Sequence, residues 1–165
     1  MSQEEAIYQF LQRHNIAYRL YRHEAMATME DAAKLDQRLG VASVKALFVE
    51  EKEGGPYGLI LLPGQMRFNW KTARRQDLPA RRFGAAAALF SILKETPRAV
   101  SPLGLVFDSQ QQVTFFAEMG LREIPYFAFH PCICTATVVI SGDDFFGCFL
   151  PALGRKTQWF SLSQK

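Results

Sequence analysis

The 165-residue sequence has few cysteines, no long apolar run and little net charge. Its three cysteines (Cys132, Cys134 and Cys148) are an odd number gathered near the C-terminal end, which argues against a secreted disulfide framework. No stretch approaches the ~18 consecutive apolar residues of a membrane-crossing helix. Met1-Ser2-Gln3-Glu4-Glu5 is acidic where a signal peptide is basic and then apolar. A reduced, cytoplasmic protein without membrane association is expected. A net charge of +3 is too small to mark the whole chain as a nucleic-acid binder. Phosphate-cradling glycine loops, HExxH and GxSxG are all missing.

What is present is ordinary in bulk and uneven in detail. Hydrophobic residues at 48% and charged residues at 21% exclude disorder, and the length argues for one domain spanning 1–165. The 14 Phe, 5 Tyr and 2 Trp imply a core or cleft rich in rings. Ser2 to Glu5 has capping-box spacing ahead of Ile7, Phe10 and Leu11, so a helix is predicted over 3–14, stopped at Asn15. Residues 17–22 read as a strand. Thr28-Met29-Glu30-Asp31 opens a second helix with Gly40 as its stop.

Residues 44–49 are apolar on both faces except for Lys45, the pattern of a central strand. A glycine-bearing turn over 50–56 and a strand over 57–62 make a hairpin. From 67 to 82 there are six basic residues (Arg67, Lys71, Arg74, Arg75, Arg81 and Arg82) against Asp77, a local +5. Interleaved with Phe68, Trp70 and Phe83, they suit a phosphate backbone plus stacking, although a charge run is more often a solvated helix face. Asn69 caps a short helix there. Residues 85–94 read as a helix apolar nearly all round and therefore buried. Strands are read over 103–108 and 113–117, joined as a hairpin across Ser109-Gln110, and again over 126–130, 135–140 and 158–162. Residues 143–153 are helical in pattern, with Pro151 expected to kink or end the run. The sum is one mixed, mostly antiparallel sheet with helices packed on it, an α+β fold.

Four segments could carry chemistry. Lys45 sits in an apolar strand, where an unpaired ammonium costs several kcal/mol; it either reaches a wet cleft or snorkels from the strand end. His130, Cys132 and Cys134 alternate, which invites a zinc reading. Positions four apart on a strand lie about 13 Å apart, however, and zinc bonds are about 2.0–2.3 Å. A Cys nucleophile with His130 as base is the other reading, but sequence neighbours rarely meet productively, so packing thiols are the better one. Thr96-Pro97-Arg98-Ala99-Val100-Ser101 is a rigid loop that can present backbone N–H groups, or an ordinary connection. The basic stretch is the fourth.

Taken in order, these segments resemble the YbaK/prolyl-tRNA editing family of aminoacyl-tRNA deacylases. The resemblance runs over nearly the whole chain: Tyr21-Arg22-His23-Glu24 with the Thr28 helix start, Val44 to Val49, Leu61-Leu62-Pro63-Gly64, Pro97 to Leu105, Phe129-His130-Pro131 with Thr135 to Val138, and Phe149 to Gly154. It implies trans-editing, the hydrolysis of the ester between a small amino acid such as alanine and a tRNA, that for proline. Water attacks without metal, cofactor or covalent nucleophile. By resemblance Lys45 orients the aminoacyl group or the terminal ribose, and its ammonium is expected to point into the cleft. The loop (Thr96, Pro97, Arg98, Ala99, Val100, Ser101 and Gly104) holds the substrate carbonyl, and His130 stands beside the pocket. The family often has glycine where this chain has Lys94 and Arg98, and asparagine where it has Ala46 and Cys134. These departures alter the substrate grip. The alternative they raise is a catalytically silent tRNA- or aminoacyl-binding module. Mischarged tRNA is the expected partner, with an aminoacyl-tRNA synthetase as a possible second and a monomer or homodimer as the assembly.

Overall fold

The computed structural model describes residues 1–26 and 28–163. The chain runs α1 (Gln3–Arg13), β1 (Arg19–Arg22), α2 (Met29–Leu39), β2 (Val44–Glu50), β3 (Tyr57–Pro63), α3 (Trp70–Arg75), β4 (Arg82–Phe83) and α4 (Ala86–Leu93). Two 3₁₀ turns (Pro97–Ala99 and Pro102–Phe107) lead to β5 (Val113–Glu118), β6 (Tyr126–Phe129) and β7 (Ala136–Ser141). A helical run over 142–152, here α5, precedes β8 (Gln158–Phe160).

The helix starts follow their caps. The Ser2 hydroxyl accepts from Glu5 N, and the Glu5 carboxylate accepts from Ser2 N, a reciprocal capping box. Thr28 and Asn69 accept from the amides of Asp31 and Thr72. Gly40 ends α2 at φ +71, a left-handed conformation that glycine adopts without steric cost.

The strands form two sheets, not the single one expected. β1-β7-β6 is antiparallel, and β4-β2-β3-β5-β8 is mixed, with β3–β5 and β5–β8 parallel. The β2–β3 hairpin is as read from the sequence, with Lys45 opposite Leu62 and Ala46 opposite Leu61. Its two apolar faces meet two cores. Val44, Ala46 and Phe48 turn toward the larger core between the sheets, whereas Leu47 and Val49 join Ile60, Leu62 and Ala73 on the other side. The phenylalanines account for much of the larger core: Phe145 lies 5.1 Å from Phe129, 5.6 Å from Phe149 and 5.8 Å from Phe115 and Phe127, ring centre to ring centre. A buried Asp108–Arg155 pair at 2.7 Å ties the start of β5 to the segment after α5.

Three further expectations fail for local reasons. Residues 103–108 form a 3₁₀ turn and no hairpin with β5, because Pro102 opens the turn and Ser101 Oγ caps it by accepting from Leu103 N. The chain from His130 to Thr135 is a turn between β6 and β7, with Cys132 at φ +67, so the alternating His–Cys–Cys face does not exist. Helix α4 is buried on one side only, through Leu89, Ile92 and Leu93, and leaves Phe90 exposed. In α5 a π-turn over Phe145–Phe149 precedes Pro151, and the helix ends one residue after it.

Candidate active site

A cavity of about 100 Å³ lies between the two sheets, closed on one flank by α2 and on another by the loop after α4. A water needs roughly 10–15 Å³ by the same measure, so the space suits a few waters or a small side chain. Ala46 and Leu61 contribute from one sheet, Phe129 and Thr137 from the other, His130 from the turn after β6, and Val100 and Ser101 from the loop. Through Met26 and Leu35 it adjoins a wider groove of about 610 Å³ between β1 and α2.

His130 is the titratable group most suited to chemistry. Its Nδ1 lies 2.9 Å from the carbonyl of Ala136. A carbonyl only accepts, so Nδ1 carries the proton and Nε2 keeps its lone pair. Burial lowers the imidazole below its ordinary value of 6.5, the nearby His23 adds to that, and the bond to Ala136 opposes it. The ring is therefore neutral at pH 7, with its basic nitrogen unpartnered among the described residues. A second histidine adjoins it: His23 Nδ1 donates to the Glu24 carbonyl at 2.8 Å, and its Nε2 lies 2.7 Å from the Thr137 hydroxyl on the cavity wall.

The loop is held from behind by a residue that sequence reasoning missed. Glu95 is fully buried, and both its carboxylate oxygens lie 3.2 Å from Ser101 N. Ser101 Oγ donates at 2.6 Å to the His130 carbonyl, locking the loop to the β6–β7 turn. Burial raises the Glu95 carboxyl well above its ordinary 4.5, opposed by hydrogen bonds from Ser101 and by the Gly104 amide. Gly104 is glycine because a Cβ there would stand 2.6 Å from the Glu95 carboxyl carbon. An acid directly after a short helix looks like a solvated terminus, so the only signal for Glu95 was its place in front of a proline-bearing loop.

The structure thus gathers Ala46, Val100, Ser101 and His130 at one cavity and leaves the other expected residues outside its wall. Ala99 and Gly104 are buried behind the loop, Thr96 and Arg98 are exposed, and Cys134 is half-buried in the β6–β7 turn. Pro97 lines a separate apolar recess of about 310 Å³ with Phe48 and Phe83, which shares Ala46 and Val100 with the cavity. Lys94 adopts φ +58, a left-handed conformation that favours glycine.

Lys45 does not line the cavity. It lies between Val44 and Ala46, which do, so strand alternation turns it to the face of Leu47 and Val49. Helix α3 packs on that same face through Ala73, so Lys45 shares a side of the sheet with the basic stretch. All six basic residues of the stretch are exposed. Arg81 and Arg82 are paired with Glu51 at 2.7 Å and Glu50 at 3.0 Å, and Arg74 donates to the Ala80 carbonyl. Arg67, Lys71 and Arg75 have no ion-pair partner among the described residues. The Phe68–Trp70–Phe83 rings stack edge to face beside them.

The edge of β2 is open next to the cavity. β4 pairs only with Val49 and Glu50, and Gly84 N donates to the Phe48 carbonyl. By the two-residue period, the N–H and C=O of Ala46 face the same side and meet no strand there among the described residues. No nucleophile–base pair is assembled among the described residues. The Ser101 hydroxyl proton is committed to a carbonyl, and burial pushes the Cys132 thiol far up, with Glu95 adding to the shift. Among the described residues no group of three His, Cys, Asp or Glu could hold a metal ion, and no helix is long and apolar enough to cross a membrane.

Comparison with known proteins gives a consistent result. The model of the aminoacyl-tRNA editing domain family matches residues 23–148. The prolyl-tRNA editing protein ProX of Acetoanaerobium sticklandii is 28% identical over 145 residues, covering 87% of this chain and 88% of ProX. Among solved structures, hypothetical protein APE2540 superposes with a TM-score of 0.71 at 17% identity, covering 93% of this chain and 97% of that one. A protein solved as a candidate trans-editing enzyme for prolyl tRNA synthetase superposes with a TM-score of 0.72 at 19% identity, covering 100% and 99%. At these identities the two structures establish the fold.

Proposed function

This chain belongs to the aminoacyl-tRNA editing domain family, and we propose that it is a trans-editing deacylase that frees a small amino acid such as alanine from mischarged tRNA, that for proline. The observation that carries the reading is His130: a neutral imidazole with a fixed tautomer, its basic nitrogen left open, beside a cavity sized for a small side chain.

In this reading water adds to the ester carbonyl, assisted by the vicinal 2′-hydroxyl. His130 Nε2 takes the proton, and the 3′-oxygen of the ribose leaves with a proton returned from the imidazolium. An aminoacyl ester is activated already, so positioning and a donor at the developing oxyanion suffice without a covalent intermediate. The unpaired Ala46 N–H at the edge of β2 is suited to that donor role. The loop at Val100, clamped through Ser101 and Glu95, supports the scissile group. The adjoining recess at Phe83 and Pro97 accommodates the terminal adenosine. Lys45, on the outer face with Arg67, Lys71 and Arg75, contacts the acceptor-end backbone and terminal ribose. The chain then works in the cytoplasm, downstream of the synthetase that makes the error.

A second reading is a silent binding module of the same fold. It is favoured by Ala46, which offers no side-chain amide at the cavity, and by Lys94 at a left-handed position. The test is a panel of tRNAs charged with alanine, serine, cysteine or proline and incubated with the purified protein. Selective loss of alanine from tRNA for proline is expected, with prolyl-tRNA spared. Survival of every ester at the uncatalysed rate overturns the proposal.

A further inference from the structure

One charged side chain in the cavity wall has no part in that mechanism. Asp36 lies in the last turn of α2 and faces the cavity beside Leu35 and Val44. Its Oδ2 accepts from the Ser43 hydroxyl at 3.0 Å. It takes part in none of the ion pairs among the described residues.

The position is unfavourable for a carboxylate in two independent ways. It stands at the negative end of a helix, where cations are preferred, and its neighbours on the wall are mostly apolar. Burial accordingly raises its carboxyl, and the bond from Ser43 offsets this only in part. Among the described residues Asp36 is also the one acid in that wall, and the wall holds no Lys or Arg. The other titratable group there, His130, is neutral. A cavity with one anion and no cation is electrostatically complementary to a positively charged guest.

We propose that Asp36 binds the α-ammonium of the substrate's aminoacyl group and is the contact that separates an aminoacyl ester from a neutral acyl ester. The proposal rests on the deacylase reading for the identity of that guest. At the end of a charged tRNA the phosphates are negative, the ribose and ester are neutral, and the ammonium is the only cation. Asp36 on α2 and His130 after β6 face one cavity from different elements. An ammonium held by the first therefore fixes the acyl group within the space that the second serves. Ser43 is a positioning residue: its hydroxyl occupies Oδ2 and leaves Oδ1 for the ligand.

The probes are two non-hydrolysable mimics of the charged terminus. One is 3′-amino-3′-deoxyadenosine carrying an alanyl group through an amide bond. The other is its lactyl counterpart, in which a hydroxyl replaces the ammonium. The wild-type chain is expected to bind the alanyl mimic at least about tenfold more tightly, the value of a hydrogen bond to a charged group. Asp36→Asn keeps an oxygen for Ser43 and should bring the ratio close to one, with lactyl binding and melting temperature little changed. Equal binding of the two mimics by the wild type, binding of neither, or a preference that survives in Asp36→Asn overturns the proposal. The wild-type ratio does so without relying on any variant. Mischarged tRNA left intact while the alanyl preference holds would count against the deacylase reading and leave Asp36's role standing. Turnover without any preference would count against Asp36 alone.

Discussion

Glu95→Gln isolates the device that holds the loop after α4. The native carboxyl is completely buried, and its value in the folded protein is raised well above 4.5 by burial, against the pull of Ser101 and Gly104. A raised acid keeps its proton in the folded chain over a range where the unfolded chain has released it. The unfolded state then binds fewer protons, so stability falls as pH rises from about 4.5 to the folded-state value and levels off above it. The slope approaches about 1.4 kcal/mol per pH unit while only the unfolded form is ionised. Glutamine cannot ionise and lacks this loss. It keeps one oxygen for Ser101 N but presents an amide N–H where the Gly104 amide needs an acceptor, a deficit of about 1–3 kcal/mol. The variant should therefore be less stable than wild type by about that amount at pH 4.5, and the gap should narrow or reverse toward pH 8. Urea unfolding followed by circular dichroism between pH 4.5 and 8.5 measures both curves, and other titrating groups cancel in their difference. Parallel curves would refute the reasoning.

Further expectations concern the site and its support. If His130 is the base, kcat/KM should fall on the acid side with a midpoint below 6.5, since burial favours the neutral ring; a limb at or above 6.5 would contradict the assignment. Gly104→Ala places a methyl 2.6 Å from the Glu95 carboxyl carbon and 2.8 Å from the Leu93 carbonyl, and should cost about 1–3 kcal/mol in thermal unfolding. Lys45→Ala should lower deacylation by about tenfold or more with unchanged melting temperature. Lys71→Glu with Arg75→Glu should weaken tRNA binding and flatten its salt dependence, whereas the same reversal at Arg81 and Arg82, already paired with acids, should do less.

Much of the scaffold was legible because its signals are local. The capping residues Ser2, Thr28 and Asn69, the stop at Gly40 and the β2–β3 hairpin all appear where side-chain chemistry and two-residue alternation place them. The 103–108 segment was not legible, since its four apolar residues fit a strand or a tight turn equally well, and the decision lay with Pro102 and the Ser101 cap. Two sheets cannot be told from one without the pairing partners. At the site, alternation shows that Lys45 and Ala46 face opposite ways, but which of them meets the cavity depends on the sheet that β6 and β7 place across from it. Glu95 and Asp36 escaped notice for a shared reason. Acids at helix ends are ordinarily solvated, and only the packed structure shows one buried under a loop and the other turned into a cavity. His130 was identified by resemblance; its tautomer and open Nε2 are properties of the fold.

The central claim is that this chain turns over aminoacyl esters. The most direct measurement is the release of labelled alanine from alanyl-tRNA for proline with the protein present well below the substrate concentration, beside the same assay with His130→Ala. Many esters cleaved per protein chain, with the rate falling by about 10²–10⁴-fold in the variant, the usual worth of a general base, is the expected result. Release that never exceeds the uncatalysed rate, or a His130→Ala protein as fast as wild type, would contradict it.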